Sequence, residues 1–225
     1  MLTYSDTSKV ISSSLLSKNI VHGFGTRMSG NGRDVEDIRH YLTTHNVTYK
    51  TIVDPEQVHG DHIVHVTSDN SKGILDIDEC DGLITSEKGV ALTVITADCA
   101  PILYLDLVKN IVGISHNGRK GTELKLAMKM IDKLYALGSK SQDIRVAIGP
   151  AIGACCYPMN LLEDNVKQLL ESGLGKEQID TFPFCTKCYS KRFYSYRNSR
   201  DLPFESPQDK TKFPEQFSFI MLNNA

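Results

Sequence analysis

Three apolar runs rich in branched side chains, Val90–Thr96, Ile102–Leu105 and Ile111–Ser115, lie within a few residues of one another. Runs this short and this closely spaced read as strands, and their crowding commits the chain to a sheet. A sheet must bury an apolar face against another layer. Asn19–Phe24, His62–Val66, Ile144–Ile148, Phe193–Tyr196 and Phe217–Leu222 are further strand candidates. Helical spacing appears in Asp34–His45, where Asp34 suits an N-cap and Val35, Ile38, Tyr41 and Leu42 share a face. It appears again in Glu123–Leu137, which Gly138 stops, and in Leu161–Leu170. The expectation is an α/β (α+β) fold: one domain over residues 1–225, with mixed β-sheet layers flanked by helices. No repeat, low-complexity tract or linker divides it.

Composition narrows the partners. Hydrophobic residues make up 40% and charged residues 23%, which is ordinary for a packed domain. A formal net charge of -2 gives no bulk attraction to nucleic acid or to an anionic membrane. The longest apolar stretch, Val90 to Leu107, is interrupted by Thr93, Thr96, Asp98, Pro101 and Asp106, so no membrane span is read. Met1–Lys18 lacks the pattern of a secretory signal. Six cysteines are too few for a disulfide scaffold, and reduced thiols in the cytoplasm are expected.

Chemistry gathers in three short segments: Gln57-Val58-His59-Gly60, Thr96-Ala97-Asp98-Cys99-Ala100-Pro101, and Ser115-His116-Asn117-Gly118-Arg119-Lys120-Gly121-Thr122. Each sits where a strand ends or a turn begins, and the glycines let the backbone turn while an imidazole projects. Two imidazoles and a thiolate suit zinc, with the fourth tetrahedral position open as in catalytic sites. The same residues would serve a metal-free Cys/His nucleophile pair. A third reading makes them hydrogen-bonded structural residues and a small buried thiol. They lie too far apart in sequence for a local metal finger.

Other clusters read more plainly. Cys185-Thr186-Lys187-Cys188 has the spacing of a zinc knuckle, but a full site needs two more ligands, and Cys155-Cys156 is the one other pair. Adjacent cysteines share one metal poorly, so Cys185 and Cys188 read as free thiols in a late loop. His62 and His65 would face opposite sides of a strand, so they cannot both join one site. Asp76, Asp78, Glu79 and Asp81 read as a solvated acidic loop.

Four motifs occur in order: Gln-Val-His-Gly at 57–60, Ala-Asp-Cys-Ala-Pro at 97–101, His-Asn-Gly-Arg-Lys-Gly-Thr at 116–122, and Ile-Gly-Pro-Ala-Ile-Gly-Ala-Cys-Cys-Tyr at 148–157. Together they resemble the purine nucleoside phosphorylase family once described as laccase-domain or polyphenol oxidase proteins, over about Phe24 to Tyr196. The resemblance implies that His59, Cys99 and His116 line one catalytic site and bind zinc, copper being the lesser candidate, with Asp98 beside them. It implies phosphorolysis of adenosine, inosine or methylthioadenosine, with adenosine deamination as a companion activity. Although its acidic neighbours read as a solvated loop, Asp81-Gly82 resembles a turn that recurs near the site in this family. Thr26-Arg27-Met28-Ser29-Gly30 resembles the family's Thr-Arg-x-Gly-Gly loop. Arg27 and Ser29, with Gly118 and Lys120 before the Glu123 helix, are the expected substrate and phosphate contacts. The chain departs from the family pattern at Arg119-Lys120, where Trp-Arg is usual, at Pro158, where Glu is usual, and in the long Asn198–Glu215 connection; these bear on substrate choice.

Two other functions compete. A copper polyphenol oxidase needs imidazole-rich sites, and the seven histidines here are scattered with no His-x-His pair. A zinc-stabilised peptidoglycan-editing or binding protein would carry a closed, four-ligand metal site.

Overall fold

In the computed structural model, the described residues are 1–16, 19–67, 73–200 and 213–224. Their strands form two mixed sheets. The strands are β1 (Leu2–Tyr4), β2 (Ile11–Ser13), β3 (Ile20–Phe24), β4 (Thr51–Pro55), β5 (Ile63–His65), β6 (Gly73–Ile77), β7 (Gly82–Thr85), β8 (Val90–Thr96), β9 (Ala100–Asp106), β10 (Ile111–Asn117), β11 (Ile144–Ile148), β12 (Ile179–Thr181) and β13 (Gln216–Leu222). The helices are α1 (Val35–Thr44), α2 (Arg119–Glu123), α3 (Leu126–Ala136), α4 (Leu161–Glu171) and α5 (Tyr196–Arg200). No helix among the described residues is long and apolar enough to cross a membrane.

The first sheet runs β1-β2-β3-β13-β8-β4-β6 and the second β12-β11-β9-β10-β7-β5. The crowded apolar runs divide between them: β9 and β10 pair antiparallel, Ile114 opposite Leu103, while β8 pairs with β13. Alternation explains why these strands are apolar throughout. Leu103 and Leu105 of β9, Val112 and Ile114 of β10, and Ile220 and Leu222 of β13 fill one core between the sheets. Their neighbours Ile102, Tyr104 and Ile111 pack outward against Leu126, Met130, Ile131 and Leu134 of α3. Phe217, Phe219 and Met221 pack outward against Ile38, Tyr41 and Leu42 of α1. The order is helix, sheet, sheet, helix, so a strand buried on both faces cannot alternate apolar with polar. Gly113 is required here, because a Cβ would lie 3.0 Å from Met130 Cε and 3.1 Å from a backbone oxygen.

Most expected elements form within a residue or two of the expected bounds. Asp34 caps α1, its side chain accepting from the amide of Glu36. Three expectations are corrected. The helix expected over Glu123–Leu137 is two helices, since Lys125 adopts φ 62 between α2 and α3. Gly118 and Lys120 therefore begin a short helix rather than precede a long one. Phe193–Tyr196 is no strand; Tyr196 starts α5. Most of the Asn198–Glu215 connection lies outside the described residues. Several short strands, β1, β2, β4, β6, β7 and β12, had no clear periodicity to mark them.

Candidate active site

The three segments singled out in sequence converge at one end of the sandwich. His116 is the penultimate residue of β10, Cys99 closes the turn between β8 and β9, and His59 follows β4 in a left-handed conformation with φ 60. Their ligand atoms all lie within 4.8 Å of one another. The imidazoles meet edge to face, with centroids 4.6 Å apart. His59 is exposed at the mouth and His116 is buried. Gln57 steers His59 by a two-way clamp on β8: its side-chain amide donates to Ile95 O at 2.8 Å, and Ile95 N donates back at 2.7 Å.

Asp81, at the entry to β7, organises the centre. It is fully buried. Its carboxylate accepts the amides of Val58 at 3.2 Å, His59 at 3.0 Å and Gly60 at 2.6 Å, and His116 Nδ1–H at 2.7 Å. Burial pushes its carboxyl upward, but these hydrogen bonds and the imidazolium outweigh it and hold the carboxyl below its ordinary value. The reading of Asp81 as part of a solvated acidic loop is thus overturned: pairing of β7 with β10 carries it inside. With Nδ1 spent on Asp81, His116 can present Nε2 to a metal, the familiar carboxylate–histidine support.

Electrostatics favour the thiolate. Burial opposes ionisation of Cys99, but the neighbouring His116 and His59 lower its thiol from 9.0 to about 7. Burial likewise disfavours the His116 cation, and the Cys99 thiolate and Asp81 outweigh it, raising His116 to about 10. A Cys/His/His set with an ionised sulfur, one buried and supported imidazole and an open side suits a borderline-soft divalent metal. Gly118 must lack a side chain, since a Cβ there would sit 2.8 Å from Cys99 Sγ and 3.0 Å from His59 Cδ2.

These residues open on a cavity of about 330 Å³. Its walls carry three arginines, Arg33, Arg119 and Arg197, and three aromatic rings, Tyr157, Tyr196 and Phe213. Arg33 pairs with Glu215 at 2.9 Å, and the Arg197 guanidinium lies 4.8 Å from the centre of the Tyr157 ring. Burial, opposed by Arg33, raises the Glu215 carboxyl. Of these wall residues, Arg119 was noted in sequence beside Lys120 and Tyr157 within the fourth motif, while Arg33, Arg197, Tyr196, Phe213 and Glu215 were given no role.

The expected substrate contacts divide. Asp98 lines the cavity. Its two carboxylate oxygens accept the Thr186 hydroxyl at 2.6 Å and the Arg197 amide at 2.8 Å, and its backbone holds φ 92. Gly118 lies against the centre, whereas Lys120, Arg27 and Ser29 are not among the lining residues. Arg27 Nε donates to the carbonyls of Ser190 and Phe193, and its guanidinium lies over Tyr194. The Ser29 hydroxyl closes its own turn on Thr26. The glycine-rich loop packs on β13 instead: the amides of Gly25 and Gly32 donate to Phe217 and Glu215 carbonyls, and a Cβ on Gly25 would meet Phe217 O at 2.4 Å. Neither His62 nor His65 lines the cavity.

A family model described as multi-copper polyphenol oxidoreductase laccase matches residues 22–161 and 158–203. The chain belongs to this family. Among its curated relatives is purine nucleoside phosphorylase YlmD of Bacillus subtilis, 29% identical, with 89% of this chain aligned to 82% of that protein. Purine nucleoside phosphorylase LACC1 of Mus musculus is 25% identical over 95% of this chain, which spans 58% of that protein's length. The crystal structure of hypothetical protein YfiH from Bacillus licheniformis superposes with a TM-score of 0.83 at 26% identity, covering 97% of this chain and 98% of that one. The family members named as phosphorylases extend the resemblance seen in the four motifs.

Proposed function

We propose that this family member is a purine nucleoside phosphorylase acting in the cytoplasm, with zinc held by His59, Cys99 and His116. The observation that carries the reading is the cavity, which sets three guanidinium groups and three aromatic rings around that centre. Relatives named as purine nucleoside phosphorylases support it.

In this reading the purine base packs between Tyr157, Tyr196 and Phe213, and phosphate is held by Arg33, Arg119 and Arg197. Phosphate oxygen forms a bond to C1′ as the C1′–N9 bond breaks with oxocarbenium character. The departing base gains a proton or a hydrogen bond from Glu215, whose carboxyl is pushed upward by burial against the opposing Arg33. Asp98 serves as a positioning residue, because both of its oxygens are already engaged in holding Thr186 and Arg197. Phosphate contact, assigned to Arg27 in the family's loop, passes to the wall arginines, since Arg27 is tied to loop carbonyls. Zinc, when bound, supplies Lewis acidity toward an oxygen in its remaining position.

Copper chemistry of the multi-copper kind has less support. Among the described residues, the two groups able to hold a metal are this one and a cluster of four cysteines, and neither is imidazole-rich.

The test is chromatography of adenosine and inosine incubated with the enzyme in phosphate and in phosphate-free buffer. Free base and ribose 1-phosphate should accumulate with phosphate alone. Release of ribose, or no consumption of either nucleoside, overturns the proposal. Deamination registers in the same runs as inosine formed from adenosine.

A further inference from the structure

Cys155, Cys156, Cys185 and Cys188, of which Cys185 and Cys188 were expected to be free thiols of a late loop, come together. All four Sγ atoms lie within 4.8 Å of one another. The turn after β11 supplies the first pair: the amides of Cys156 and Tyr157 both donate to Gly153 O, and this tight turn aims two adjacent side chains the same way. The second pair sits on a turn closed by Tyr189 N donating to Cys185 O. One backbone bridge, Ala151 to Cys185, joins the two loops, with Thr186 N donating to Ala151 O at 3.0 Å.

The spacing distinguishes a metal from disulfides. Cys188 Sγ lies 3.6 Å from Cys155 Sγ and 3.5 Å from Cys156 Sγ. Tetrahedral zinc with Zn–S bonds near 2.3 Å puts its sulfurs about 3.8 Å apart. A disulfide brings two sulfurs to about 2.0 Å and leaves the others out. One sulfur nearly equidistant from two more is the pattern of ligands around a common centre. The backbone amides of Gly153 and Cys188 also hydrogen-bond to Cys185 Sγ, which is how buried thiolates are supported. Lys191 and Arg192 share a surface depression with Cys188 and can offset the negative charge of such a centre.

We propose that Cys155, Cys156, Cys185 and Cys188 form a closed tetrathiolate zinc site, separate from the His59–Cys99–His116 centre, that clasps the loop carrying Ile152 and Tyr157 of the cavity wall to the loop carrying Thr186. Four protein ligands leave no position for substrate, so the role is structural. Its reach into the cavity is direct. Tyr157, the residue after Cys156, lines the cavity, and Thr186, the residue after Cys185, holds Asp98. The inference does not depend on the reaction proposed above.

The decisive protein is the His59→Ala, Cys99→Ala, His116→Ala variant, which removes the other metal centre. It should purify with one zinc per chain, keep it through dialysis against EDTA, and release it when a mercurial titrates the thiols. Cobalt in its place should give the absorption of a tetrahedral four-thiolate complex. A folded variant with no zinc, with iron as the dominant metal, or with the mass deficit of disulfides overturns the proposal. X-ray absorption on the unmutated zinc protein gives an answer even if the variant does not fold. More than one sulfur per zinc on average is expected, and a count of one or fewer overturns it. Stripping the metal with mercurial and chelator should lower the melting temperature by several degrees; an unchanged temperature overturns the structural role.

Discussion

Asp81 Oδ1 accepts both His116 Nδ1–H at 2.7 Å and the amide of His59 at 3.0 Å, so one buried carboxylate fixes a ring on β10 and the backbone that carries another in the turn after β4. Asp81→Asn keeps the size but turns one acceptor into a donor facing backbone amides. Metal affinity should fall about 10- to 100-fold. Competition with a chromophoric chelator measures it, and an affinity equal to wild type would remove Asp81 from this role.

The Cys99–His116 pair sets a pH window in metal-free protein. The raised His116 contributes stability that is complete below 6.5 and lost as pH climbs through about 10. The lowered Cys99 contributes stability that is complete above 9.0 and lost as pH falls through about 7. Between about 7 and 9 the falling His116 contribution and the rising Cys99 contribution offset each other, and their sum drops as pH climbs from 9 to about 10. Alkylation of Cys99 by iodoacetamide should show a midpoint near pH 7, moving upward in His116→Gln. The assignment fails if the midpoint stays at an ordinary thiol value in both proteins.

Arg27 and Arg197 should separate in kinetics. Arg27→Ala should leave the phosphate KM near wild type while costing about 1–3 kcal/mol of stability, because it orphans two loop carbonyls. Arg197→Ala should raise the phosphate KM by about tenfold or more, as loss of a charge-assisted contact to the anion would. Initial rates at varied phosphate, beside urea denaturation, decide it; the reverse pattern returns phosphate to the glycine-rich loop.

Gly118→Ala should abolish metal binding at the His59–Cys99–His116 centre without unfolding the chain. Its Cβ would press on Cys99 Sγ at 2.8 Å, and overpacking of this kind costs about 1–3 kcal/mol. Calorimetry and metal analysis together check it: full metal content in a folded Gly118→Ala protein contradicts the crowding.

Much of this was legible before any coordinates. β8, β10, β11, α1 and α4 announce themselves because their periodicity or apolar density is local. His59, Cys99 and His116 stood out through the turns that carry them. Asp81 did not, because its neighbours are acidic and exposed while its burial depends on pairing with β10 far along the chain. The meeting of the four cysteines was not legible, because it hangs on the bridge between Ala151 and Cys185, distant in sequence from Cys155. Arg27 was misplaced because a glycine-rich loop can approach a strand as readily as an anion, and here it approaches β13.

The position of β13 has a consequence for biosynthesis. It sits in the middle of its sheet, between β3 and β8, yet it follows every other strand in chain order. A ribosome therefore delivers the central strand last, into a gap between partners already made. Until it arrives, β1-β2-β3 and β8-β4-β6 have no strand to join them, and Phe213 and Glu215, just ahead of β13, are missing from the cavity wall. The cavity wall is thus completed in a single late event, and a nascent chain stalled before Gln216 would hold His59, Cys99 and His116 in a half-built sandwich.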